Sequence, residues 1–209
     1  MNITVFGANG KVGRLVVADA LERGYKVVAF VHRQTNFPAN SNLKIIKGDI
    51  YDLVSVDKAL AGSDSVISCL GSWGTPKKDI LSSAMKNIIP TMQKFGISRI
   101  VSLTGTGANA PSDQNSFFEK LNRRLLLWIA PKILRDSEAH IQHLAKSKLS
   151  WTVVRSPIMV SIGNPLKFSL TMKRPQPFAI IHRQAVARAM VDLSETKEFI
   201  RQSPFIGNK

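Results

Sequence analysis

Residues 1–14, MNITVFGANGKVGR, decide the fold of this chain. A short apolar strand at 2–6 runs directly into the glycine-rich turn GANGKVG at 7–13, and a helix pattern begins behind it. Such a turn needs residues without a Cβ where the backbone bends and approaches phosphate oxygens, and the helix that follows offers unpaired N–H groups. The stretch therefore predicts a dinucleotide pyrophosphate site, the alternative being a tight turn without a ligand.

The rest of the chain repeats this strand and helix alternation. Near-continuous apolar strands that alternate with helices are typical of a parallel sheet covered on both faces. We therefore expect an α/β fold, a Rossmann-type doubly wound parallel sheet, in a single domain over residues 1–209. Pro90 is expected to kink or split its helix. The predicted strands are 2–6, 26–31, 43–46, 64–69, 99–103 and 151–155, and the predicted helices are 11–23, 52–60, 80–95, 116–128, 134–146 and 183–193.

Prolines at positions 157, 165, 175 and 177 interrupt the segment that follows the sixth strand. This segment cannot form one regular element, apart from a late strand expected at 178–181. We expect residues 156–182 to form a small C-terminal cap over the substrate end of the sheet.

The composition indicates a basic protein without disulfides. Its 209 residues are 44% apolar, with a net charge of +15 and one cysteine, Cys69. The basic residues are dispersed and no nucleic-acid motif accompanies them, so we expect them to attract an anionic cofactor rather than nucleic acid. No apolar run reaches the roughly 18 residues that span a bilayer. With a strand already at residue 2 and no signal peptide, a reducing cytoplasm is the expected location.

The end of the second strand bears on the choice of cofactor. In this architecture an acidic residue there binds the ribose hydroxyls of NAD, whereas an arginine pairs with the 2′-phosphate of NADP. The sequence reads VHRQT at 31–35, without an acid, and Arg33 lies twenty residues after Gly13. Lys11 and Arg14 add positive charge on the same side. We expect NADP(H), unless Arg33 is an ordinary surface residue.

Two further strand ends predict cofactor contacts. Asp49 and Ile50 follow the third strand, where the carboxylate can accept from the adenine amine and the isoleucine can pack on the ring. Asp49 could instead cap the next helix. Cys69 and the residues after it follow the fourth strand and are expected beside the pyrophosphate or the nicotinamide ribose, with the thiol itself a packing group.

These motifs together resemble the atypical short-chain dehydrogenase/reductase group, and especially its small NmrA-like and biliverdin reductase B-like (flavin reductase) members. The resemblance rests on GANGKVG at 7–13, VHR at 31–33, GDI at 48–50, CLGS at 69–72, SLTGTGA at 102–108 and SKLSWTVVRSP at 147–157. The motifs and the resemblance together predict cofactor contacts at Gly7, Ala8, Asn9, Gly10, Lys11, Val12, Gly13, His32, Arg33, Asp49, Ile50, Cys69, Leu70, Gly71, Ser102, Leu103, Ser156 and Pro157.

The chain departs from the wider superfamily in its proton donor. Active members use a Tyr-x-x-x-Lys pair on the helix before the sixth strand. Counting back from WTVVR at 151–155, the corresponding positions are Ile133 and Ser137. The two tyrosines, Tyr25 and Tyr51, both lie in the early cofactor half. A proton-donating tyrosine of the usual kind is therefore not expected.

Other side chains could assist the chemistry. Ser102 and Thr104 end the fifth strand, where the superfamily's catalytic serine lies, or they could cap the loop. Asp136 and His140 lie near the start of a helix, where a proton relay or an interaction with the helix dipole could explain them. His140 and His143 lack an evident third ligand, so no metal site is expected.

Two functions remain open at this stage. The first is an NADPH-dependent reductase of a planar, conjugated small molecule such as a flavin or a quinone, which delocalises the new charge and needs no strong acid. The second is a non-catalytic NADP(H)-binding redox sensor or regulator of the NmrA-like kind. We expect a monomer or a homodimer. An apolar stripe at 117–129 predicts a core-facing helix, a lid or a dimer surface.

Overall fold

The computed structural model describes residues 1–73, 75–113, 124 and 127–209. The predicted helix at 116–128 lies almost wholly outside them; of its apolar stripe, Trp128 and Ile129 are described, and both are exposed. The strands are β1 (Asn2–Phe6), β2 (Lys26–Val31), β3 (Leu43–Lys47), β4 (Ser65–Ser68), β5 (Arg99–Gly105), β6 (Ser150–Ser156), β7 (Ile158–Val160), β8 (Ser169–Thr171), β9 (Ile180–His182) and β10 (Phe205–Gly207). The helices are α1 (Lys11–Glu22), α2 (Leu53–Leu60), α3 (Ile80–Lys94), α4 (Pro131–Lys146) and α5 (Arg183–Glu195).

A mostly parallel sheet organises the molecule. Its order is β3-β2-β1-β4-β5-β6-β10-β8, and among the described strands only the β10–β8 pair is antiparallel. The order reverses between β1 and β4, whose carboxyl ends lie side by side because Phe6 pairs with Ser68. The fold is thus the Rossmann-type doubly wound sheet expected from the sequence, and the crevice at such a reversal is where ligands bind in these folds.

Two apolar layers cover the sheet. On one face, α1 and α5 pack on alternate strand residues such as Ile3 and Val5. On the other face, α2, α3 and α4 pack around Phe6, Ile100 and Val153. Because both faces are covered, the central strands are apolar at successive positions, which explains why a period-2 pattern is not visible in them.

Pro90 does not split its helix. Helix α3 runs continuously from Ile80 to Lys94 and includes Pro90 in its third turn. The proline ring is on the exposed side, while Leu81, Met85 and Ile88 are buried on the other. Burial of this apolar face outweighs the loss of one backbone hydrogen bond.

The C-terminal region is more ordered than a proline-broken segment suggests. Strands β7 and β9 form a separate two-stranded parallel sheet, in which Ile158 pairs with Ile180. Strand β8, however, joins the main sheet through β10, which the sequence did not predict. Only part of the segment at 156–182 therefore lies apart from the main sheet.

Candidate active site

The glycine-rich turn after β1 is shaped by close backbone contacts. Gly7 has φ +72°, and a Cβ there would lie 2.8 Å from the carbonyl carbon and oxygen of Cys69. At Gly13 a Cβ would lie 2.2 Å from the Gly7 oxygen. The first glycine therefore permits the turn and its contact with β4, and the last permits α1 to pack against it, as in dinucleotide-binding turns.

The amino end of α1 is open to an anion. Gly10 occupies the N-cap position and provides no side-chain hydrogen bond to the first turn. Ala8 and Val12 are buried and fix the turn on the core, whereas Gly10 and Lys11 are exposed. The first N–H groups of a helix have no intrahelical acceptor, so this end presents donors, the helix dipole and a lysine to a phosphate.

A polar cluster joins this turn to the end of β2. The Arg14 guanidinium donates to Asn9 Oδ1, to Thr35 Oγ1 at 3.2 Å and to Asn36 Oδ1 at 2.9 Å. It also lies 4.9 Å from the centre of the Phe37 ring. Arg14, whose charge the sequence analysis noted without a structural role, thus fixes the segment after β2 beside the glycine turn.

His32 and Arg33 follow β2 and are exposed. Within the described part of the chain, Arg33 forms no hydrogen bond or ion pair, and residues 32–37 include no acid. The Arg33 guanidinium is therefore available to a phosphate at the place where the sequence predicted one.

The residues after β3 form the expected turn. Ile50 is buried, and its carbonyl accepts from Asn87 Nδ2 at 2.9 Å. One carboxylate oxygen of Asp49 accepts from Tyr51 N at 3.1 Å. The cap of α2 is Asp52, which accepts from the N–H groups of Val54 and Ser55. Asp49 therefore does not fill the helix-capping position and retains a second carboxylate oxygen for a ligand.

Cys69, Leu70 and Gly71 continue from β4 past the glycine turn. Cys69 N donates to Phe6 O at 2.9 Å, which keeps the two strand ends together. Burial raises the pKa of the Cys69 thiol to about 12, so the thiol is protonated at neutral pH and acts as a packing group. Leu70 is half-buried, and Gly71 is exposed.

A buried pair lies beneath the end of β5. Ser102 Oγ and His140 Nε2 share a hydrogen bond of 2.8 Å, and both residues are fully buried. His140 Nδ1 has no hydrogen-bond partner among the described residues. Loss of solvation lowers the pKa of His140 to about 4, and the nearby Asp136 offsets this only in part. The ring is therefore neutral at physiological pH.

Thr104 lies two residues further toward the end of the same strand. Strand alternation places it on the same sheet face as Ser102. It is 7% exposed, and its hydroxyl has no partner among the described residues. Two hydroxyls, those of Ser102 and Thr104, were expected at this strand end. Of these, the Thr104 hydroxyl is the one without a hydrogen-bond partner among the described residues. Leu103 points to the opposite face and joins the core there.

Asp136 binds the amino end of another helix. Its carboxylate accepts from Ser72 Oγ at 2.6 Å, from Leu81 N at 3.1 Å and from Ser82 N at 2.8 Å. These contacts satisfy two N–H groups of the first turn of α3 and hold the loop after β4 against α4. The Asp136 carboxylate therefore binds the end of α3 and not, as one expectation had it, the dipole of its own helix.

Comparison with known proteins identifies the family of this chain. A model of the NAD(P)H-binding family matches residues 7–197. The chain belongs to the NAD(P)H-binding family. The match includes the glycine turn and every described element from α1 through α5, so the expected membership of an NAD(P)-binding family is confirmed.

Related sequences cover parts of the chain. An uncharacterised protein of Mycobacterium tuberculosis is 33% identical over 103 residues, which are 48% of this chain and 12% of that protein. The divinyl chlorophyllide a 8-vinyl-reductase of Arabidopsis thaliana is 29% identical over 128 residues, 53% of this chain and 31% of the enzyme. The chain therefore spans a third or less of the length of these two relatives.

Solved structures share the fold over nearly the whole chain. A short-chain dehydrogenase/reductase of Veillonella parvula in complex with NADP has a TM-score of 0.78 at 20% identity, covering 99% of this chain and 94% of that one. An anaerobillin reductase of Escherichia coli O157:H7 has a TM-score of 0.76 at 19% identity, covering 100% and 97%. At these identities the likeness shows the shared fold alone.

The two positions that the resemblance predicts for a tyrosine and a lysine lie on α4. The residues there are Ile133, half-buried, and Ser137, buried. Neither carries an acidic proton or a positive charge. Asp136 and His140, on the same helix, are engaged with α3 and with Ser102 as described.

The structure adds a buried ion-pair network that the sequence analysis missed. Arg155 is fully buried near the end of β6; it pairs with Asp113, donates to Ser203 O at 2.8 Å and lies 3.7 Å from the centre of the Phe205 ring. Arg174 also approaches Asp113, at 3.7 Å. These contacts fix the loop after β5 against β6 and β10. Nothing local in the sequence marks a buried arginine whose partner lies 42 residues away.

Ser156 and Pro157 end β6 at the same edge of the sheet. Both are buried, and Ser156 O accepts from Thr106 N at 3.0 Å, which ties the loop after β5 to the strand. In the described ranges, no group of three or more metal-binding side chains comes together. Likewise, none of the described helices has the length and apolar character to cross a membrane.

Proposed function

We propose that this chain binds NADPH and reduces a conjugated small-molecule acceptor. The observation that carries the proposal is the open amino end of α1 on its glycine turn, with the Arg14 and Arg33 guanidinium groups beside it at the end of β2. Membership of the NAD(P)H-binding family supports the binding step.

The residues present fit a dinucleotide. The close contacts at Gly7 and Gly13 leave no room for a Cβ. At Gly10, by contrast, a Cβ would approach only the Gly7 oxygen, at 3.2 Å. Gly10 and Lys11 would therefore meet the pyrophosphate, and the N–H groups of the first turn of α1 would bind its oxygens. Asp49 and Ile50 would hold the adenine, and Ser156 and Pro157 would lie at the nicotinamide end.

The positive charges favour NADP(H) over NAD(H). An arginine that is exposed and unpaired within the described residues, as Arg33 is, can form bidentate hydrogen bonds with a 2′-phosphate. Arg14 contacts residues 35–37 and so holds the segment that follows Arg33 in place. NAD would instead call for a carboxylate near position 33, and residues 32–37 contain none.

Bound NADPH supplies the hydride, and the chain positions the acceptor and provides its hydrogen bonds. Thr104 has the free hydroxyl near the end of β5, so we assign it to the acceptor oxygen or nitrogen. The Ser102–His140 pair lies behind it and fixes the strand end. Because the ring of His140 is neutral and its Nε2 is already bonded, we propose a positioning role for it rather than proton transfer.

The missing acid suggests the acceptor class. A general acid typically contributes about 10²–10⁴-fold to such a reaction. Reduction of a simple ketone creates a strongly basic oxygen, so the rate of that reaction would fall most without a general acid. Flavins, quinones and other conjugated acceptors spread the new charge and can take a proton from water afterwards. The names of the chlorophyllide and anaerobillin reductases among the similar proteins are consistent with such an acceptor.

A second candidate is a non-catalytic NADP(H)-binding regulator. It is favoured by Ile133 and Ser137 in the tyrosine and lysine positions and by the complete burial of Ser102. The cofactor site would be the same, but no acceptor would turn over.

Turnover separates the two candidates. Purified protein is mixed with NADPH and a panel of flavins and quinones, and the loss of NADPH absorbance is followed against a no-protein control. The reductase predicts turnover well above background for at least one acceptor. It also predicts that Thr104→Val, which keeps the shape of the side chain and removes the hydroxyl, lowers kcat about tenfold or more. The affinity for NADPH should be unchanged. Tight NADPH binding without turnover across the panel would support the regulator.

A further inference from the structure

A cavity lies in the C-terminal region, outside the predicted cofactor contacts. Its volume is about 190 Å³, and it opens between β7, β9, the segment at 162–167 and the last two residues of the chain. None of the residues predicted to contact NADP(H) lines it. Drug-sized ligands typically occupy about 300–1,000 Å³, so this volume suits a smaller molecule.

One side of the cavity is apolar. Val160, Ile162 and Ile180 line it together with the buried Ile181. Ile162 and Ile180 are 73% and 46% exposed, so two large aliphatic side chains from separate segments line one concavity and remain open to solvent. Ile181 belongs to the main core, so the wall is anchored from behind.

The remaining lining consists of hydrogen-bond donors. Lys167 and Lys209 line the cavity, and neither has an ion-pair partner in the described part of the chain. Asn164 Oδ1 accepts from Leu166 N at 2.8 Å, so the Asn164 amide keeps its N–H₂ group free. None of the lining side chains is an aspartate or a glutamate.

His182 adds a donor with a defined tautomer. As the N-cap of α5, its Nδ1 accepts from Gln184 N at 3.1 Å. The neutral ring must therefore carry its proton on Nε2, and His182 lines the cavity. The cavity thus combines an aliphatic wall with cationic and neutral donors.

We propose that this cavity binds a small amphipathic carboxylate, with the aliphatic or aromatic body on Ile162 and Ile180 and the carboxylate at Lys167 and His182. An anion matches the donors, and an apolar body matches the exposed isoleucines. A cation would be repelled by Lys167, which has no ion-pair partner among the described residues, and a neutral alcohol would leave that charge without a partner. The site stands apart from hydride transfer, so its test requires no turnover.

The ligand could be a separate effector or a carboxylate arm of the acceptor itself. Both have the same chemistry, and competition distinguishes them. If the acceptor found in the turnover panel displaces the bound carboxylate, the cavity belongs to the acceptor site. If both bind together, it is a separate site. Either result retains the carboxylate assignment.

Octanoate is a suitable probe, with octylamine and octanol as matched controls for charge. Calorimetric titration of the NADPH-saturated protein should give a Kd of roughly 0.1–1 mM for octanoate. Octylamine should not bind measurably, and octanol should bind at least tenfold more weakly than octanoate. Amide resonances at 160–167 and 180–182 should shift with octanoate.

Substitutions locate the site. Lys167→Gln should weaken octanoate binding about tenfold, because one charge-assisted hydrogen bond is lost. Ile180→Thr, which keeps the β-branched shape, should weaken it severalfold. Lys148→Gln, an exposed lysine outside the cavity, should bind like the unmodified protein. Equal binding of octanoate and octylamine, unchanged affinity in Lys167→Gln, or amide shifts confined to residues 7–13 would each overturn the proposal.

Discussion

Acidification should destabilise this protein through one buried histidine. The pKa of His140 is lowered from 6.5 to about 4 by burial. Between those values the unfolded chain binds a proton that the folded chain does not, so stability falls as the pH falls through this window. Relative to pH 7.5, the loss should be about 1 kcal/mol at pH 5.5 and about 2–3 kcal/mol at pH 4.5.

The measurement is urea denaturation at several pH values between 7.5 and 4.5, for the unmodified protein and for His140→Gln. Glutamine can keep a hydrogen bond with Ser102 but does not titrate, so the variant should lose most of the pH dependence. His143→Gln is the matched control. Its pKa is also lowered by burial, but the side chain is half-buried and its replacement should remove only a small part. The Asp52 and Asp57 carboxylates also have lowered pKa values, so they lose their contribution to the free energy of unfolding at a lower pH.

An independent readout protects this test against a variant that folds poorly. In an NMR titration of the unmodified protein, the His140 ring should remain neutral down to pH 5. A ring that is protonated at pH 6, or equal pH dependence in the unmodified protein and His140→Gln, would refute the assignment of a desolvated neutral imidazole.

Three further substitutions test the backbone and the buried charges by chemical denaturation. Gly13→Ala should cost about 1–3 kcal/mol, because its Cβ would lie 2.2 Å from the Gly7 oxygen, while Gly207→Ala, with no atom within 4 Å, should cost about 0.5 kcal/mol or less. Arg155→Met should cost about 3–5 kcal/mol by leaving Asp113 without its main partner, and adding Asp113→Asn should recover part of that loss. Asp136→Asn should cost about 1–2 kcal/mol through weaker capping of α3.

For each of these three predictions, one result would contradict it. Equal stabilities for Gly13→Ala and Gly207→Ala would show that the turn can relax around a methyl group. Strict additivity of Arg155→Met and Asp113→Asn would show that the two side chains are not coupled. An Asp136→Asn variant as stable as the unmodified protein would show that one amide oxygen suffices for the end of α3.

The central architecture was predictable because local patterns and global fold agree. Strands β1 and β2 begin and end where the sequence predicts, and α1 begins at Lys11, as predicted. Long apolar strands bounded by Gly or Asp, and a helix closed at Gly24, are strong local signals. The glycine turn could be recognised for the same reason, since its backbone constraints are local.

What could not be predicted depends on distant partners. Strands β8 and β10 are three residues long and are stabilised by pairing with each other, which no local period indicates. The partners of Asp136 at the amino end of α3 lie 54 and 55 residues away. Burial of Arg155 contradicts the usual exposure of arginine and follows only from the approach of Asp113 and Phe205. The expected split at Pro90 was wrong because the packing of the buried face of α3 was not visible locally, whereas the alternative of a kink stays a prediction.

The most direct test of the account is a titration of the purified protein with NADPH and with NADH, carried out in parallel on Arg33→Gln. The account predicts that NADPH binds at least tenfold more tightly than NADH and that Arg33→Gln weakens NADPH roughly ten- to hundredfold while changing NADH little. Absence of affinity for either dinucleotide, or equal losses for both in the variant, would contradict it.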